Sequence, residues 1–152
     1  MKKPISLCLL ALVLAGSSAS HAGAAFPAPP QKKSLYHRLG GYDAIAAVTD
    51  DFITRLATDK ELSKFFIGLN DESKKRVREH VIDLLCATTG GPCIYLGQDR
   101  KTAHKGLGIT QEDWDISVRH LVESLDKFKV GKREKDELLA ALSNLKNDIV
   151  EK

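Results

Sequence analysis

From Ser34 onward the apolar residues recur with the period of an α-helix. Ile45, Val48, Phe52 and Leu56 fall at offsets 0, 3, 7 and 11, one face of a helix, and the spacing predicts a helix over 42–57. Val77, His80, Val81, Leu84 and Leu85 follow at offsets 0, 3, 4, 7 and 8, with Gly90-Gly91-Pro92 as a stop, which predicts a second helix over 72–88. A third opens at Thr110, where Thr110-x-x-Asp113 has the form of a capping box and Trp114, Val118, Leu121, Val122 and Leu125 supply the buried face. A fourth runs from Lys132, with Leu138, Leu142, Leu145 and Ile149 at offsets 0, 4, 7 and 11. No segment alternates with period two for long enough to read as a strand, and Pro92 is the only proline after Ser34. The pattern predicts an all-α domain.

One stretch departs from it. Cys93 to Thr110, CIYLGQDRKTAHKGLGIT, carries three glycines and scattered charge without a sustained helical stripe. A loop of that length inside a compact domain tends to be functional. It contains His104, and a neutral imidazole is a good metal ligand at physiological pH. His80 is the second polar oddity, because a ring on an apolar stripe is costly to bury without a partner. Read from the residues alone, each is as well explained by a hydrogen-bonded histidine at the edge of the core. Together they can face each other across a cavity, as a helical sandwich holding haem requires. His37 and His120 lie away from both segments and read as surface or core residues.

Before Ser34 the composition changes. Lys2 and Lys3 precede an apolar run from Ile5 to Ala15, which ends in small residues up to Ser20-His21-Ala22. This is the layout of a secretory signal over 1–22, cleaved after Ala22. The run is well short of the roughly 20 residues a membrane span needs, so no stable span is expected after cleavage. Ser17 also stands where a lipid-modified cysteine would have to be. Residues 23–33, GAAFPAPPQKK, read as a Pro/Ala-rich linker, leaving 34–152 as the folding domain. Export to the periplasm follows as an expectation. Lys and Arg number 23 against 20 Asp and Glu, for a net charge of +3, and the two signs are interspersed. Without a basic stripe, nucleic acid is not an expected partner.

The order and spacing of several short motifs resemble the group 1 truncated haemoglobins, from Ser34 to about Val150. The motifs are LYHRLGGYDAI with Gly40 and Gly41, DFITRLATDKELSKFF with Phe65 and Phe66, TTGGP with Gly90 and Gly91, the Tyr95-x-Gly97 step, and AHKGLGIT around His104. The resemblance implies a truncated globin fold, a 2-on-2 helical sandwich around haem, with the long loop on the proximal side. It implies His104 as the iron ligand, with Phe66, Leu85, Tyr95, Arg100, Lys101 and Trp114 as haem-contacting residues. Arg100 and Lys101 suit the propionates, although many relatives have Met where this chain has Arg100. The distal wall would be Ile53, Val77, His80 and Val81. Where many relatives place Tyr and Gln, this chain has Ile53, Val77 and Val81, so the usual hydrogen bonds to bound dioxygen are not to be expected.

His80 matches a position at which some members place a second iron-ligating histidine. It can ligate the iron directly, donate a hydrogen bond to an exogenous ligand, or gate access from the solvent edge. No Cys-x-x-Cys-His occurs, so the haem is expected to be non-covalent, b-type. Cys8 leaves with the signal. Cys86 and Cys93 remain as a pair in an oxidising compartment, where a disulfide is open to them, as is a plain buried role for Cys86. The function classes in play are reversible binding of dioxygen, nitric oxide or carbon monoxide, oxidation of nitric oxide to nitrate by dioxygen, and electron transfer or sensing by a bis-histidine haem. The second class needs an external reductase, since the chain carries no flavin or nicotinamide domain.

Overall fold

The computed structural model describes residues 32–152. The expected signal, 1–22, and the linker 23–33 up to residue 31 lie outside the described residues. A single turn, α1 (Leu35–Arg38), leads into α2 (Gly41–Thr58). A 3-10 turn (Ser63–Phe66) and α3 (Asp71–Thr88) follow, then α4 (Arg100–His104), α5 (Gln111–Lys127), α6 (Lys132–Ser143) and α7 (Lys146–Ile149). No strand occurs among the described residues. The long helices pair as α2 with α3 and α5 with α6, α2 packing across α5, and the short ones brace them: α1 on α6, α4 on α7.

The helix ends are set locally. Asn70 caps α3 by accepting from the Ser73 amide, and Asp71 and Glu72 place acidic charge at its positive end. Thr110 and Asp113 form the reciprocal capping box of α5: Asp113 N–H donates to Thr110 Oγ1 at 3.1 Å, and Thr110 N–H donates to Asp113 Oδ2 at 2.9 Å. Two departures from the sequence pattern concern short elements. The stripe Leu138–Leu142–Leu145–Ile149 is not one helix, because the backbone tightens at Asn144, where Leu145 N–H reaches the Leu142 carbonyl. This i→i+3 step ends α6 and restarts the chain as α7. The long loop, in turn, contains α4, nucleated by Asp99, whose side chain accepts from the Thr102 amide at 2.9 Å.

Each long helix is divided between two environments. Leu35, Ile45, Val48, Ile82, Leu85, Cys86, Leu121, Leu125 and Leu138 close into one dry core. It takes the N-terminal half of α2 and the C-terminal halves of α3 and α5, and full burial of side chains such as Ile82 and Leu125 is worth roughly 1.5–3 kcal/mol each. Phe52 and Leu56 on α2, Val77 and Val81 on α3, and Trp114 and Val118 on α5 face a cavity that Leu85 and Leu121 also border. The predicted buried face of α5 divides accordingly. Leu121 and Leu125 are buried, Trp114 and Val118 turn to the cavity, and Ile116 and Ser124 are buried in addition.

A polar clamp ties α2 to α5. Asp51 accepts from Arg55 at 2.7 Å, Ser124 at 2.8 Å and Lys127 at 2.5 Å. The two cations in that set, Arg55 and then Lys127, hold its carboxyl far below the usual carboxylate range. At the end of α2, His120 Nε2–H donates to Asp59 at 2.8 Å, while Asp59 also accepts from the amides of Glu61 and Leu62. These bonds, His120 foremost, bring Asp59 from 3.8 down to about 2.

Two predictions follow from these caps and clamps. Thr110→Ala should lower the unfolding free energy by about 1 kcal/mol in urea denaturation, the usual worth of a side-chain cap. Asp59 is depressed on folding, so its stabilisation is present above the ordinary value of 3.8 and disappears as the pH falls through about 2. Urea midpoints recorded from pH 6 to pH 2 should therefore drop less steeply below pH 4 for Asp59→Asn than for the wild type, with the variant already less stable at pH 6.

Candidate functional site

The cavity-facing halves of the helices enclose about 640 Å³, within the range of about 300–1,000 Å³ in which proteins bury small organic ligands and cofactors. One wall is α2 and the 3-10 turn with the residues flanking it: Phe52, Ile53, Leu56, Leu62, Phe65, Phe66 and Leu69. Val77, His80, Val81, Leu84 and Leu85 come from α3, and Trp114, Ser117, Val118 and Leu121 from α5. The loop and α4 add Tyr95, Arg100, Ala103, His104, Leu107 and Ile109, and α6 with the segment behind it adds Leu139, Leu142, Ser143, Leu145 and Ile149.

His104 is the last residue of α4. Its Nδ1 lies 2.7 Å from the Arg100 carbonyl oxygen, one turn earlier. A carbonyl only accepts, so Nδ1 carries the ring proton and Nε2 keeps its lone pair, in a side chain that forms part of the cavity wall. This is how a metal-ligating histidine is ordinarily oriented. His80, from α3, meets the cavity with its ring edge-on to Tyr95, centroids 5.9 Å apart and planes at 66°, and makes no hydrogen bond among the described residues. Tyr95 is itself fixed, its hydroxyl donating to the Gln98 carbonyl at 2.8 Å. Gly97 permits this fold-back, since a Cβ there would stand 2.4 Å from the phenolic oxygen.

Arg100 Nε is buried and without a hydrogen-bond partner among the described residues, a cost normally met by an acceptor. Lys101, next to it, is exposed and outside the cavity wall. The remaining residues singled out from the sequence, Ile53, Phe66, Val77, His80, Val81, Leu85, Tyr95, His104 and Trp114, come together with Arg100 around one cavity. His37 and His120 do not join them: His37 bonds Ser34 at 2.8 Å, and His120 belongs to the α2–α5 clamp.

Several wall residues escaped the sequence reading. Phe52, Leu56 and Leu84 were on the helical stripes but carried nothing to separate cavity from core. Asp113 read only as a helix cap, yet it is a buried carboxylate in the wall. Burial pushes its pKa up, but the Thr110 amide and Lys64, 3.0 Å away, outweigh that and hold it below the usual range.

The donor set narrows the occupant. Among the described residues no three His, Cys, Asp or Glu side chains are grouped to hold a metal ion by themselves. An imidazole with a free Nε2, an apolar enclosure and a guanidinium whose buried Nε lacks a partner among the described residues instead fit a flat, largely apolar macrocycle that carries its own metal and an anionic edge. The sequence profile of the bacterial-like globins matches residues 34–151. The chain belongs to this family. A group 1 truncated hemoglobin of Mycolicibacterium paratuberculosis is 33% identical over 116 residues, 76% of this chain and 83% of that protein. One from Nostoc commune is 32% identical over 119 residues, 78% and 98% respectively. Among solved structures, the Fe(III) form of the truncated hemoglobin from Tetrahymena pyriformis aligns with a TM-score of 0.73 at 23% identity, covering 79% of this chain and all of that one. The 2/2 hemoglobin from Synechococcus, in the cyanomet state with covalently attached heme, aligns at 0.71 and 23%, covering 78% and 98%. The globin fold is thus the truncated, 2-on-2 form, and its cofactor is haem with its iron.

Proposed function

We propose that this globin holds a b-type haem through His104 and reversibly captures a diatomic gas, dioxygen, nitric oxide or carbon monoxide, within the same cavity. The observation that carries this is the His104–Arg100 hydrogen bond, which fixes the tautomer and leaves Nε2 as the ligating atom. When bound, haem would supply an iron able to take a small ligand. The chain's own residues do the rest. Phe66, Leu85 and Trp114 offer apolar contact and exclude water, and Arg100 offers its buried, unpartnered Nε–H to a propionate. Lys101, being exposed, could meet such a carboxylate only in solvent, where a single ion pair is worth little.

Ile53, Val77 and Val81 cannot hydrogen-bond a ligand, so His80 would be the distal residue to meet the iron or its small ligand. Its ring is free of other partners in the cavity wall, which favours direct ligation over a role confined to gating access. Oxidation of nitric oxide would need electrons from an external reductase, and the site carries no residue that selects that chemistry over binding. Export to the periplasm remains part of the proposal. It is supported by the bond between Cys86 and Cys93, since such bonds are rare where thiols are kept reduced.

Absorption spectra of the haem-loaded protein test the ligand assignments. The wild type should give a low-spin, six-coordinate ferrous spectrum that becomes five-coordinate in His80→Ala, and His104→Ala should fail to retain haem on a desalting column. A five-coordinate wild type would reduce His80 to a pocket residue. If the distal wall is as apolar as its residues imply, Ile53→Tyr on the His80→Ala background should slow dioxygen release in stopped-flow measurements. The expected factor is roughly tenfold, from a new hydrogen bond of about 1–1.5 kcal/mol.

A further inference from the structure

The helix that presents His104 is too short to orient itself. An isolated helix shorter than about 12 residues has no appreciable stability in water, and α4 has five. Something outside it must set the angle of the imidazole. Directly after His104 the backbone turns through two left-handed glycines, Gly106 at φ +83° and Gly108 at φ +66°. Around Gly106 a Cβ would meet nothing within 4 Å, so conformation and not space requires the glycine. With Leu107 between them, the two turns aim both amides at one carboxylate: Gly106 N–H donates to Glu151 Oε1 at 2.7 Å and Gly108 N–H to Glu151 Oε2 at 2.6 Å. This is an anion nest filled by the protein's own side chain.

The backbone on either side completes the fastening. Glu151 N–H donates to the Ile109 carbonyl at 2.8 Å, and Gln111 N–H donates to the Lys152 carbonyl at 3.2 Å. The cavity-lining residues Leu107 and Ile109 alternate with these anchored positions. Ile149, two residues before Glu151, lines the same cavity from α7, on which α4 packs. An exposed carboxylate of this kind ordinarily contributes little, yet here both of its oxygens are committed to the segment that leaves the histidine.

We propose that Glu151 is the positioning residue for His104: by holding the Gly106 and Gly108 amides it sets the orientation of the imidazole toward the haem iron. The proposal rests on ligation by His104 and extends it to how that ligand is held. It is tested in the full chain with Glu151→Ala, Glu151→Gln, and Glu61→Ala as an exposed control. In the haem-free protein, hydrogen exchange at the Gly106 and Gly108 amides should speed at least tenfold in Glu151→Ala. In the ferrous haem-loaded protein on the His80→Ala background, the iron–histidine stretching band in resonance Raman should shift or broaden. Haem transfer to excess apomyoglobin should be at least fivefold faster. Glu151→Gln, which keeps one accepting oxygen, should fall between, and Glu61→Ala should match the wild type. Amides that exchange at the wild-type rate in Glu151→Ala would overturn the proposal. So would freed amides with an unchanged band and haem transfer within twofold. A parent protein with no iron–histidine band would overturn His104 ligation as well, which separates the two failures.

Discussion

The structure depends on one constraint: each long helix has to serve both a packed core and the wall of a cavity. The tightest side-chain packing is where Ile45, Val48, Ile82, Leu85, Leu121, Leu125 and Leu138 interlock, with the cavity-lining Phe52, Val81, Leu139 and Leu142 packed against them. A dry core of that size cannot also fix the walls of a cavity of about 640 Å³, since apolar contact falls away once surfaces separate by more than a fraction of an ångström. The spacing of the walls has to be set around their rim.

The rim is where the chain places its directional interactions. Asp51 and Asp59 on and after α2 reach Ser124, Lys127 and His120 on α5. Lys64 on the 3-10 turn reaches Asp113 at the head of α5, Arg78 on α3 pairs with Asp50 on α2, and a disulfide joins the end of α3 to the loop carrying Tyr95. Glu151 fastens the segment after His104. Single surface pairs contribute little to stability. Their worth here is geometric, because they add directional ties between elements that otherwise meet only through apolar contact. The chemistry of the site follows from that frame. His104 has its Nδ1 engaged by the Arg100 carbonyl and the backbone after it held, and most of the wall around it is apolar.

Much of this was legible in the chain. The periodic stripes located the four long helices to within a residue or two at most ends, and Thr110 with Asp113 marked the start of α5 because a capping box is a local device that needs no tertiary partner. The glycine-rich departure around His104 was visible for the same reason. The small elements were not. α1, the 3-10 turn, α4 and α7 are four or five residues each, below the length at which periodicity carries a signal, and they persist because neighbouring segments hold them.

The sequence by itself determined where the long helices run, which face of each is apolar, that a histidine sits in a glycine-rich segment, and the family motifs that go with it. It did so because periodicity, capping and turn chemistry act over a few neighbouring residues. Only the tertiary structure decided which end of each apolar stripe becomes core and which becomes cavity, as with Leu125 against Trp114 on the same helix. It alone separated Arg100, in the wall, from Lys101 outside it, and brought Glu151 to the glycines beyond His104. The physical reason is that a stripe records only that water is excluded from a face. What replaces the water depends on elements far away in the chain and on how far apart the rim contacts hold them.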